Sequence, residues 1–294
     1  MTIAGETRAK VDRLIRDFYP WGEDGYLPGP SPRGVRQRLE RVKGWLAASC
    51  TPFRVTALTL IARVLTILDE LERSLGRTEA ARWRARIDAG ALVKTPDSIL
   101  EKMVRGWKPD QPDPPPCDFR RLHELNDLSR FRLVVNFLSD LEHIASALER
   151  PYGRARRRLT AAQKALHDEF RLLGGRFEDS VLLHPRDRSK GERGRKGVFE
   201  PRDKAFAHHY VEVQIQTQLQ EAWDKKDHFL VYEPRRRGEA VVLADAIEIF
   251  AMSELLYVAD LTFDRLRADI LSRQSNAAKT KRPSKRGKRR ASTR

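Results

Sequence analysis

Residues 210–217 read Tyr-Val-Glu-Val-Gln-Ile-Gln-Thr, a strict alternation of apolar and polar side chains. In a β-strand, alternation puts Val211, Val213 and Ile215 on one face and Glu212, Gln214 and Gln216 on the other. The apolar face requires a hydrophobic layer to pack against. A carboxylate and two amides in a row add nothing to a core, so the opposite face either meets solvent or lines a site. The fold must therefore contain a sheet with one dry and one polar side.

The rest of the chain supplies helices for the dry side. Apolar residues at three- and four-residue spacing predict helices over 9–18, 32–48, 53–75 and 79–87, a helical cap filling the first ninety residues. The proline-rich stretch 108–116 can be neither helix nor central strand, because proline lacks the amide donor and restrains the residue before it. A strand is predicted over 131–137, then a helix opened by a capping box of Ser139 and Glu142. Thr160 and Gln163 form a second such box, and 177–183 reads as another strand. After the 210–217 strand come a helix over 218–232, a stop at Pro234, and a long amphipathic helix over 239–272. There is no internal repeat. The expected class is α+β: a mixed central β-sheet flanked by helices, with a helical N-terminal cap and a long C-terminal helix. The expected division is an extension over 1–90, a central domain over 91–235, a packed helix over 236–274 and a basic tail over 275–294.

With 294 residues, 40% of them hydrophobic, the chain can build a substantial core. No window approaches the roughly 18 consecutive apolar residues of a membrane span, and the first residues lack the blocks of a signal peptide, so no membrane and a cytoplasmic location are expected. Cys50 and Cys117 stand far apart without metal-ligand spacing, which predicts neither a disulfide framework nor a zinc site. The net charge of +16 is uneven: nine Lys/Arg and no acids fall between Lys279 and Arg294, and removing them leaves +7 on the body. That tail has nothing to bury and reads as disordered, either solubilising or attached to RNA or acidic surfaces. The segment 186–197, with six basic residues and three glycines, reads as a mobile basic loop.

Three residue groups can carry chemistry. Asp127 precedes a strand, and a neighbouring strand can bring Glu212 beside it. Two such carboxylates suit a partly hydrated magnesium ion gripping phosphates, whereas a lone Asp in that place is a cap or turn residue. Lys94-Thr95-Pro96-Asp97-Ser98 begins a helix with Thr95 as cap and Pro96 at the first position. Its free amides, Lys94 and Lys102 make either a phosphate site or an ordinary capped helix with surface lysines. His228 and Tyr232 lie one helical turn apart on one face, and for His228 a hydrogen-bonded structural role is the plain alternative.

Taken in order, four runs resemble the synthetase motifs of the RelA/SpoT-type nucleotide pyrophosphokinases, the (p)ppGpp synthetases. They are the stretch from Val93 to Met103, the stretch from Asn126 to Arg132, the stretch from Glu212 to Thr217, and Trp223 with Asp227, His228 and Tyr232. The resemblance spans roughly 92–233. It implies a nucleotidyltransferase-like sheet and transfer of pyrophosphate from ATP, with Mg2+, to the ribose 3'-hydroxyl of a guanine nucleotide. It makes Asp127 the magnesium ligand and Glu212 the second acid, assisting the metal or deprotonating the acceptor hydroxyl. Lys94, Ser98, Lys102 and Arg132 would belong to the ATP site, and Gln214 and His228 would line the same cleft.

The chain also departs from the family. Leu92 stands where the family has arginine, Arg130 where it has glycine, Gln216 where it has arginine and Glu233 where it has lysine. The family's Gly-Tyr-x-Ser-x-His segment is not recognisable. Gly197-Val198-Phe199 is the nearest stretch, with Phe199 as the aromatic face for a base. Two further readings accompany the departures: pyrophosphorylation of the tRNA 3' end, which the basic loop and tail favour, and a catalytically degenerate nucleotide- or RNA-binding protein. The expected partners are nucleotides and tRNA or other RNA, with a homo-oligomer or an antitoxin partner left open. The N-terminal helices lack the His and His-Asp pairs of a hydrolase metal site.

Overall fold

The computed structural model describes residues 5–75, 85–110, 113–153, 158–181, 192–236 and 239–280. Helices α1 (Gly5–Phe18) and α2 (Val35–Ser49) bury Val11, Leu14 and Ile15, and Leu39, Val42 and Leu46, the spacings that put side chains on one helical stripe. They close a small core with α4 (Pro96–Met103), Phe119 and Leu128. Helix α3 (Thr51–Leu75) joins the two halves: Phe53 belongs to this core, while Ala57, Leu60, Val64 and Ile67 pack on the sheet. The stretch Val35–Ser74 is apolar and long enough to cross a membrane by composition. Its Leu39, Val42, Leu46, Leu60 and Val64 are instead buried against other elements, as core helices require.

The sheet contains β1 (Arg86–Asp88), β2 (Ser129–Val135), β3 (Phe170–Leu172), β4 (Glu178–Asp179), β5 (Arg195–Pro201) and β6 (Val211–Thr217). Its order is β1-β2-β6-β5-β3, with β4 also on β5. The central pair β2 and β6 is parallel and every other pairing is antiparallel, so the sheet is mixed. Phe131, Leu133, Val211, Val213, Ile215 and Phe199 form the dry face, closed by α3, α5 (Leu138–Glu149) and α6 (Ala161–Glu169). Each such buried side chain contributes about 1.5–3 kcal/mol. The fold is α+β, as the sequence predicts, and it ends in α7 (Gln218–Asp227) and the long α8 (Leu243–Thr280).

Several local expectations change. Of the helix expected over 79–87, residues 79–84 lie outside the described residues, and Arg86–Asp88 is an edge strand in which Ile87 packs on the dry face. The Ser139 capping box does not form: Phe137 is the cap residue, Ser139 donates to Asp264 at 2.6 Å and Glu142 pairs with Arg195 at 2.5 Å. Distant partners outcompete the local pair. The Thr160–Gln163 box does form, and Gln163 also donates to the Ala147 carbonyl. Of the strand expected over 177–183, residues 182–183 lie outside the described residues and the rest contributes only Glu178–Asp179, while β3 is too short for alternation to reveal.

The basic loop is shorter than expected, because Arg195, Lys196 and Gly197 enter β5. Arg195 is held between Glu142 and Asp179 at 2.5 and 2.9 Å, and Lys196 meets Glu192 at 2.8 Å, so their charges are matched within the sheet. Residues 186–191 of that loop, and the tail beyond 280, lie outside the described residues. Pro234 does not stop the chain's helical path. After α7 a π-helical segment, His228–Tyr232, runs into a short turn, Glu233–Arg236, whose second residue is Pro234, where a missing amide costs nothing.

Candidate active site

Because β2 and β6 run parallel in register, Arg130 lies beside Glu212, Arg132 beside Gln214 and Val134 beside Gln216. On the other side of β6, Lys196 and Val198 of β5 face Gln214 and Glu212. This is the polar side of the sheet. Gln214 donates to Glu212 at 2.5 Å and accepts from Arg132 Nε at 2.8 Å, while the second arm of Arg132 meets Asp224 of α7 at 2.6 Å. The strand glutamine therefore aligns an acid and a base on either side of it. Burial works against the Lys196 ammonium, but Glu192, Glu212 and Asp224 together raise its pKa above the ordinary lysine value.

Asp127 stands at the head of this strand pair, two residues before β2. Lys94 Nζ reaches its Oδ2 at 2.5 Å, and Lys102 of α4 holds its Oδ1. The backbone fixes this meeting, since Lys94 N–H donates to the Leu128 carbonyl at 2.9 Å and Arg130 N–H donates to the Leu92 carbonyl at 3.0 Å. Helix α4 starts as the sequence predicts: Thr95 accepts from the Ser98 amide, and the Ser98 hydroxyl lies 3.1 Å from the Thr95 hydroxyl. Burial raises the Asp127 pKa, but the two lysines outweigh it and hold the carboxyl below its ordinary value. Burial lowers the pKa of Lys94 even against the pull of Asp127, with Lys102 and Arg130 adding repulsion.

The remaining expected residues belong to the π-helical segment that follows α7. His228 is half exposed, 3.4 Å from Glu233, with its ring 4.9 Å from that of Tyr232. Tyr232 OH in turn meets Arg105 at 3.3 Å. Arg105, Tyr232, Trp223 and Asp227 share a cavity of about 720 Å3 that includes none of Lys94, Lys102, Asp127 or Glu212.

The departures from the family pattern acquire physical form. Leu92 packs against the dry core while Arg130, its backbone partner, is near enough to repel Lys94. Arg130 thus adds a third cation near Lys94 and Lys102. Gln216 is 1% exposed, and Gly194 lies over it so tightly that a Cβ there would come within 2.9 Å of Gln216 Cγ. Glu233 is turned inward beside His228. Phe199 cannot stack on a base: it is fully buried among Tyr152 and Phe177, and Val198 is the residue that faces the polar side.

Sequence reasoning missed Asp224 and Lys196, the first because a lone acid on a helix carries no signal, the second because it sat in a segment read as loop. It also missed a group of rings at the head of β6. His208 is 3.0 Å from Tyr210 OH, its ring lies 5.5 Å from His123, and the Tyr210 carbonyl accepts from Ser129 at 2.7 Å. His208 has a φ of +65°, uncommon outside glycine.

Asp127 and Glu212 carry hard oxygen donors, and the two lysines hold the Asp127 carboxyl below its ordinary pKa, a donor chemistry that fits a magnesium ion. Among the described residues no group of three or more His, Cys, Asp or Glu gathers, so phosphate and water would have to complete the coordination.

No family model matches the chain, and no curated protein does. Solved structures do match. Small alarmone synthetase 1 from Bacillus subtilis bound to its product pppGpp superposes with a TM-score of 0.55 at 17% identity, over 77% of this chain and 98% of that one. A GTP pyrophosphokinase family protein from Streptococcus pneumoniae gives 0.52 at 17% identity, over 78% and 97% of the two chains. The chain has the fold of the RelA/SpoT-like (p)ppGpp synthetases.

Proposed function

We propose that the chain is a RelA/SpoT-like pyrophosphokinase that moves the pyrophosphoryl group of ATP to the ribose 3'-hydroxyl of a guanine nucleotide in the cytoplasm, releasing AMP. The observation that carries this reading is Asp127 held between Lys94 and Lys102 at the head of the strands that align Arg132, Gln214 and Glu212. Cations flanking an ionised carboxylate suit a polyphosphate and its metal together.

Asp127 and Glu212 would hold magnesium, which when bound neutralises charge on the transferring phosphates. Lys94, Lys102 and Arg132 bind phosphate oxygens, and Arg130 supplies the cation that position 92 lacks. Ser98 takes part through the amide end of α4, where backbone donors favour an anion. Glu212 accepts the proton of the attacking hydroxyl; Gln214 keeps its carboxylate oriented. Positioning and charge stabilisation supply most of the acceleration in such transfers. His228 orders the Glu233 and Tyr232 side of the cleft.

One observation favours a second acceptor. The residue facing Glu212 from β5 is the aliphatic Val198, which offers no ring for a purine, so an acceptor held through its RNA backbone, such as the tRNA 3' end, depends less on this position than a free guanine nucleotide does. The test is incubation with ATP labelled in its β and γ phosphates and with GDP, GTP, AMP or deacylated tRNA in turn. Transfer that disappears in Asp127→Ala and Glu212→Ala supports the reading, and the labelled acceptor identifies the substrate. Nucleotide binding without transfer to any acceptor overturns it in favour of a degenerate binding protein.

A further inference from the structure

The cavity of about 720 Å3 beside Trp223 and Tyr232 has no task in the transfer scheme. It opens between α1, α4, α7, the π-helical segment and the start of α8. Its size falls in the range of sites that take small molecules, roughly 300 to 1,000 Å3, and such sites combine an apolar lining with a few polar groups.

The floor is dry. Val104, Trp223 and Val231 are buried there, and Trp223 Nε1 already donates to the Ile249 carbonyl at 2.6 Å, so the indole offers a face and no donor. On the α8 side, Leu243 and Ile247 line the cavity and yet are 72% and 58% exposed. Covering them with an apolar body removes that surface from water, which is favourable.

The rim is charged. Lys10, Arg105 and Arg235 stand against Glu101 and Asp227, which leaves one positive charge in excess. Glu6 matches Lys10 at 2.7 Å, and both rim acids are engaged within the protein. Arg105, by contrast, meets a hydroxyl, that of Tyr232 at 3.3 Å. A guanidinium in that position is suited to a carboxylate, which it can hold by two parallel bonds.

We propose that this cavity binds a small amphipathic carboxylate, with its acyl or aryl body over Val104, Trp223 and Val231 and its charged head on Arg105. A nucleotide polyphosphate fits poorly, because it brings several negative charges to a rim with one positive charge in excess and sets them above an apolar floor. The site includes none of Lys94, Lys102, Asp127 or Glu212, so it stands whether or not the chain transfers pyrophosphate. Helix α7 connects the two places: Trp223 is followed directly by Asp224, which holds Arg132.

Calorimetric titration of the full chain with octanoate tests this, with octanol as the same body without the charge. Octanoate should bind once per chain and about tenfold more tightly than octanol. Arg105→Ala should remove that tenfold preference by weakening octanoate alone. Ala246→Trp, which fills the cavity from α8, should abolish binding of both molecules with helical circular dichroism retained, and Arg105→Ala decides the matter should that variant misfold. The proposal is overturned by a wild type that shows no saturable binding or takes octanol as tightly as octanoate, by octanoate affinity unchanged in Arg105→Ala, or by a folded Ala246→Trp that binds as wild type does.

Discussion

Lys94 and Asp127 meet at 2.5 Å across thirty-three residues of chain. Replacing the acid by Asn leaves two half-buried ammonium groups without their counter-charge. We expect Asp127→Asn to lower transfer by at least about a hundredfold, because both the metal site and the phosphate cations lose their anchor. It should also cost about 1–3 kcal/mol in denaturant unfolding, allowing for partial solvent screening. The folded carboxyl has a lowered pKa, so its contribution is complete above the unfolded value near 3.9 and is lost as pH falls below that. The stability difference between wild type and Asp127→Asn should therefore be constant around neutrality and shrink only in acid.

Arg130 tests the transposed cation. Arg130→Gly should raise KM for ATP about tenfold and cost about 1 kcal/mol in unfolding, because glycine loosens a strand interior. Adding Leu92→Arg should recover part of that loss in steady-state kinetics. Recovery would show that the charge, and not its place in the chain, is what the nucleotide reads.

Asp224 holds the outer arm of Arg132 at 2.6 Å. In Asp224→Asn the guanidinium keeps only its bond to Gln214, and kcat/KM should fall about tenfold as the phosphate ligand loses its fixed orientation. The thermal midpoint should drop by a few degrees.

Asp260 is 2% exposed, and burial pushes its carboxyl up to about 6, against the hydrogen bond from Thr217. The folded state therefore holds a proton that the unfolded chain releases near 3.9. Stability from this group is full in acid and declines as pH rises from about 4 through 6. Asp260→Asn should raise stability at pH 8 by on the order of 1–2 kcal/mol and give no advantage near pH 4, which chemical denaturation at the two pH values will show.

Gly197 packs so closely on Phe177 that a Cβ would come within 2.9 Å of its ring. Gly197→Ala should cost about 1–3 kcal/mol, read as a lower denaturation midpoint, because both groups lie in the sheet core.

The sequence was most legible where local pattern and tertiary structure ask for the same thing. The alternation at Val211 to Thr217, the Thr95 and Thr160 caps and the stripes of α1 and α2 all fold as their spacing predicts. It misled where a distant partner decided the outcome: Ser139 left its box for Asp264, and Arg195 entered a strand because Glu142 and Asp179 await it. Asp127 was found from its motif, but its clamp between two lysines depends on the Leu128 backbone bond that no local pattern encodes. Phe199 looked available because it is aromatic, and alternation on β5 sends it into the core.

The parallel pairing of β2 with β6 has a kinetic consequence. These strands are neighbours in space, yet α5, α6, β3, β4 and β5 all lie between them in sequence, so their contact must close a long loop before it returns any energy. During synthesis the dry face of β2 emerges well before its partner strand exists. α3, already made, is the element able to cover it. The row of Glu212 and Gln214 consequently meets Arg130 and Arg132 only when the centre of the sheet zips shut, and a nascent chain stopped short of Thr217 would have most of its helices but an incomplete polar face.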